Sequence, residues 1–113
     1  MRPVVYTLSD ASGGALTSSV YPPDNYVSPF NVAISVVVTG TVNYTVQYTF
    51  DDVFAAGYDA STGAWTDHPS MTGILVTKDS NIAYPVTGTR IKLNSGSGSV
   101  RCTFIQAGGG GLA

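Results

Sequence analysis

Residues 41–50, TVNYTVQYTF, constrain the fold more than any other part of the chain. Val42, Tyr44, Val46, Tyr48 and Phe50 alternate with Thr41, Asn43, Thr45, Gln47 and Thr49. Successive side chains of an extended strand point to opposite faces, so this pattern gives one apolar and one polar face. On a helix the same apolar residues would be smeared around the cylinder. Apart from Asn43 and Gln47, every residue here is β-branched or aromatic, the types that pack well on a pleated surface. The expectation is a central antiparallel strand with Val42 through Phe50 inward. Its Thr and amide face is uncharged and suits cover by another subunit.

Composition points the same way. The chain has 113 residues, enough for one domain and one core. Charged residues make up 11%, every acid is Asp, and Lys occurs twice. Such a chain lacks the usual material of surface helices. The net charge is −2, and Arg2, Lys78, Arg90, Lys92 and Arg101 form no cluster, which disfavours nucleic-acid binding. No apolar run approaches the length of a membrane helix, and the N-terminus lacks the pattern of a signal peptide, so a cytosolic site of synthesis and assembly is expected. Cys102, the single cysteine, falls in the alternation Val100, Cys102, Phe104 and is expected to be a buried, unreactive thiol.

Further strands are expected at 31–39 (NVAISVVVT), 71–77, 86–93 and 99–106. Gly40 suggests a tight hairpin, or a bulge in one bent strand, between the first of these and 41–50. The loop NSGSG (94–98) suggests a hairpin joining the last two. Asp79, Ser80 and Asn81 form a turn signal. Residues 1–30 carry Pro22, Pro23 and Pro29 and a glycine pair, and suggest an extended arm around one edge strand. Residues 107–113, AGGGGLA, suggest a flexible glycine-rich tail. The organisation expected is arm or edge strand (1–30), sandwich domain (31–106) and tail (107–113). About seven short strands with long connections at 9–30 and 51–70 predict an all-β, antiparallel two-sheet β-sandwich of jelly-roll type.

Catalytic chemistry finds little footing. His68 is the only histidine, and no G-x-S-x-G elbow is present. His68 is expected to be a loop residue bonded to backbone or solvent. One His and one buried Cys cannot build a common zinc site. Asp51, Asp52 and Asp59 match no calcium-loop spacing, and Asp51 and Asp52 suit ending the strand and capping turns instead. No cofactor, metal or catalytic residue is expected, and the chain is read as a non-enzyme. The connection 51–69 is long and aromatic, which marks it as the place for partner or glycan contacts, through Phe54, Tyr58 and Trp65.

Three segments carry a resemblance: VTGTVNYTVQYTFDDVF (38–54), NIAYPVTGTRIKLNSGSGSV (81–100) and CTFIQAG (102–108). In this order they resemble a group of small virion proteins of tailed bacteriophages, similar in size and composition to jelly-roll head decoration (cement) proteins. The resemblance covers about 31–108 and leaves the first thirty residues out. It implies a virion structural protein assembled in the host cytoplasm, homo-oligomeric, partnered by the major capsid protein or other virion proteins, and bound to neither nucleic acid nor membrane. It carries over no functional residue. The alternatives are a head–tail or fibre-attachment component, and a carbohydrate-binding module.

Overall fold

The computed structural model describes residues 3–24 and 30–106. These residues form no helix and eight strands: β1 (Val4–Ser9), β2 (Leu16–Thr17), β3 (Val32–Thr39), β4 (Asn43–Thr49), β5 (Trp65–Asp67), β6 (Lys78–Ile82), β7 (Gly88–Ser95) and β8 (Ser99–Gln106). They make two four-stranded antiparallel sheets, ordered β1-β8-β3-β6 and β2-β7-β4-β5. The sheets pack face to face as a β-sandwich. The alternation read from the sequence supplies its core. Val32, Ile34, Val36, Val100, Cys102 and Phe104 face Tyr44, Val46, Ile91 and Leu93, all essentially without solvent exposure. Burial of each such side chain stabilises by about 1.5–3 kcal/mol, which is why the register of these strands is not free to slip by one residue.

Both expected hairpins are overturned. β3 pairs with β6 and β8, whereas β4 pairs with β5 and β7. Residues 40–42 therefore carry the chain from one sheet to the other, and 96–98 do the same between β7 and β8. Strand length and a small turn are equally compatible with a hairpin. The outcome is set at long range: β3 pairs with β8 over eight positions and β4 with β7 over seven. The two crossings also lean on one another. The Gly98 amide donates to Thr41 O at 2.9 Å, and Asp10 and Ala11 amides donate to Gly98 O and Gly96 O at 3.0 and 2.8 Å. Gly96 sits at φ 105°, and a Cβ there would run into the Thr41 carbonyl.

Other expectations change in detail. The turn signal at 79–81 lies inside β6, because pairing with β3 overrides local preference. Residues 71–77 make only a single bridge, Ile74 with Tyr44, and cross between the sheets. Phe50 is 61% exposed, not core: β4 ends at Thr49 and the chain turns outward. The polar face of β4 is covered by this chain itself. Thr45 and Thr49 are buried, accepting from the Gly73 amide (3.0 Å) and donating to Ala64 O (2.7 Å).

Within the stretch expected as an arm or edge strand, residues 4–9 form the edge strand β1, paired with β8 over six positions. Tyr21 bridges to Thr89 and stacks on Phe104 at 5.6 Å. The proline-containing segment 25–29 and the glycine tail 107–113 lie outside the described residues.

Candidate functional site

The long connection between β4 and β5 folds over one end of the sandwich, and its conformation is set by three aspartates. Asp51 Oδ2 accepts from the Ala64 amide at 2.7 Å and so closes the base of the loop. Asp52 Oδ1 accepts from the Phe54 amide at 3.1 Å, and Asp59 Oδ1 from the Ser61 amide and hydroxyl at 2.9 and 2.7 Å. The hydroxyl and then the amide of Ser61 hold the Asp59 carboxyl below its ordinary range. Asp52 and Asp59 are thus each engaged in a local turn, as Asp side chains are prone to be, while Asp51 bonds across the loop. Among the described residues no three His, Cys, Asp or Glu side chains converge to hold a metal ion.

The three aromatic residues singled out in this loop do not act as one surface. Phe54 is 80% exposed and, with Val20, Pro22, Val53, Tyr58 and Ala60, lines an open cleft of about 250 Å³. Trp65 lies elsewhere, on the outward face of β5. The Arg90 guanidinium sits over its ring, 4.1 Å from the centroid, and its Nε1 donates to Ala60 O at 2.9 Å. One face of the indole is therefore already occupied. Tyr58 connects the two regions: its ring lines the cleft, while its hydroxyl is buried near Gly63 and Trp65 without a hydrogen-bond partner among the described residues.

Sequence reasoning did not anticipate the polar cluster around Trp65. Arg90 Nε donates to Gln47 Oε1 at 2.8 Å, Gln47 Nε2 donates to Asp67 Oδ1 at 2.8 Å, and Arg90 Nη1 reaches Ala60 O at 3.2 Å. Desolvation lowers the Arg90 pKa. These residues lie far apart in sequence and meet because Gln47 stands opposite Arg90 on one side and Asp67 on the other. Nothing local announces that register. Phe50 and Tyr84 form a second unanticipated feature, an exposed ring pair 6.4 Å apart that both meet Tyr48 edge-on.

His68 follows β5 as a loop residue bonded to backbone, as expected. It is buried; its Nε2 lies 2.8 Å from Asn81 O, and its Nδ1 accepts from the Ser70 amide at 3.1 Å. The network assigns the Nε2–H tautomer. The Ser70 hydroxyl is also 3.1 Å from Nδ1 and 2.8 Å from the Ser80 hydroxyl. The ring thus ties the segment after β5 to β6 across the two sheets, with both nitrogens engaged. Cys102 is buried in the core, and burial pushes its thiol up to about 12. A thiol in that state is a weak nucleophile at neutral pH.

The chain matches no protein-family model and no curated protein. No helix among the described residues is long and apolar enough to cross a membrane.

Proposed function

We propose that this chain is a jelly-roll structural protein of a bacteriophage virion, acting as a capsid decoration protein that braces neighbouring capsid subunits. The observation that carries the reading is the strand order. The order 1-8-3-6 and 2-7-4-5 supports the reading, because it is the order expected of an eight-stranded jelly roll, a fold of two Greek keys that is common in viral shells. Fold alone does not define function, so the surface must contribute. The outward face of the β1-β8-β3-β6 sheet is broad and sparsely charged, carrying Arg101 and, beside Ser35, Asp79. Val5, Thr103 and Ser35 stand in one row, Thr7, Arg101 and Val37 in the next, and Ile105 beside Ala33. Val5, Val37 and Ile105 are 51, 38 and 42% exposed. A face of this kind suits contact with other protein more than free solvent. Many copies, each adding about a few kcal/mol of contact, would raise the resistance of a shell to rupture.

The test is stoichiometry in purified virions against the major capsid protein. Hundreds of copies per particle are expected; roughly 6 to 18 would instead mark a neck, tail or fibre-attachment component, given cyclic assembly. Complete absence from the particle would end the virion reading.

The exposed Phe54 at the mouth of the cleft favours a second reading, glycan binding by ring stacking. The Phe54→Ala variant decides it better than one at Trp65, whose ring is already capped by Arg90. A wild-type signal on a glycan array that disappears in Phe54→Ala would support this reading, and no wild-type signal would sink it.

A further inference from the structure

A sandwich has four sheet edges, and three of them are protected here. β2 has two residues and β5 three, too short to template a partner strand. β6 carries Lys78 and Asp79, and the segment after β5 lies along it: His68 takes Asn81 O, and Ser70 meets Ser80 and Lys78. Short length, charge and cover are the usual means by which proteins blunt an edge.

Among the described residues, β1 has none of these. It is six residues long, VVYTLS, without charge or internal proline. It pairs with β8 on one side, and among the described residues no other backbone group bonds to residues 4–9. Val4, Tyr6 and Leu8 point inward and pack against the core, yet each stays only half-buried. A strand placed beside β1 would satisfy its free backbone groups and cover this apolar row together.

We propose that β1 is an assembly edge, and that its occupant is β1 of a second copy, paired antiparallel across a two-fold axis. The resulting sheet would run β6-β3-β8-β1 and then, in the second copy, β1-β8-β3-β6. The argument for a copy is complementarity. The partner strand must itself be free, uncharged, and apolar on its inner face, and β1 meets all three conditions. Register follows from the faces. Pairing all six residues would set Tyr6 opposite Thr7 and mix inner with outer side chains. Setting Tyr6 opposite Tyr6 keeps five residues paired, puts Val4 opposite Leu8 of the second copy, and puts exposed Val5 opposite exposed Thr7. This inference does not depend on the virion reading, since it stands on the edge alone.

Sedimentation of the full chain over a concentration series tests it. The wild type should pass from monomer to dimer as concentration rises. The double variant Val5→Lys/Thr7→Lys places like charges opposite each other twice, on exposed positions, and should raise the dimer dissociation constant about tenfold or more. The variant Val5→Asp/Thr7→Lys places opposite charges there and should restore the dimer. Thermal unfolding of both variants checks that the monomer is intact. A wild type that stays monomeric up to about millimolar concentration overturns the proposal. So does a dimer, or any other oligomer, that the two-lysine variant leaves unchanged.

Discussion

At one end of the sandwich the chain passes between sheets in three residues, 40–42 and again 96–98; at the other it spends 50–64 getting from β4 to β5. The short crossings make their hydrogen bonds through backbone groups, and Val42 adds a buried side chain. Gly98 donates to Thr41 O, Asp10 and Ala11 donate to the 96–98 segment, and there is no room for a Cβ at Gly96 or Gly98. The long connection is held by side chains: Asp51 on the Ala64 amide, Asp59 on Ser61, and Trp65 and Arg90 on Ala60 O. Backbone contacts of this closeness demand one residue type and one conformation. Side-chain anchors leave the intervening residues exchangeable, which is where a small sandwich can vary what it contacts.

The sharpest way to break this contrast is a pair of glycine substitutions. Gly96→Ala should destabilise by about 3–5 kcal/mol, because a Cβ collides with the Thr41 carbonyl at a φ of 105°. Gly57→Ala, at φ 77° in the long loop with nothing within 4 Å of its Cβ position, should cost only about 1 kcal/mol for the left-handed backbone. Urea unfolding measures both. Equal losses would mean that the two ends are held in the same way.

A smaller effect tests the side-chain end. The Tyr58 hydroxyl is buried without a partner among the described residues, so Tyr58→Phe should be neutral or stabilising by up to about 1 kcal/mol. A clear loss of stability would reveal that the hydroxyl does hold the loop.

The smallest effect tests where the two ends should agree. Asp10, at the short-crossing end, and Asp59, in the long loop, each bond the hydroxyl and amide of the serine two residues on. The serine hydroxyl first, then its amide, lowers both carboxyl pKa values. A folded-state pKa below the unfolded one stabilises above the ordinary aspartate range, and that contribution fades as pH falls through the folded value. Both groups lie at the surface, so the effect on stability is slight. Carbon-detected NMR titration should give both midpoints below 3.8, and Ser12→Ala and Ser61→Ala should each raise its own. Independent behaviour of the two would show that the wider surroundings, not the local turn, set these values.

Much of the sandwich was legible in period-two alternation. Val32 to Val36, Tyr44 to Tyr48, Ile91 with Leu93, and Val100 to Phe104 are buried as their spacing requires, and so is Cys102. Phe50 fails because alternation holds only while the strand lasts, and β4 stops one residue earlier. The candidate site was legible only as a stretch. Its length and aromatic content marked 51–69, but Trp65 parts from Phe54 once Arg90 arrives from β7.

By itself the sequence determined which residues face inward, because that depends on side-chain period and apolar burial, both local properties of an extended chain. Only the tertiary structure decided which strands are neighbours. A three-residue glycine link is compatible with a hairpin and with a crossing between sheets, and the choice rests on long-range pairing, of β3 with β8 and of β4 with β7. That choice sent β3 and β4, and β7 and β8, to opposite sheets. It assembled Gln47, Asp67 and Arg90 around Trp65, and it left β1 as the long, uncharged edge.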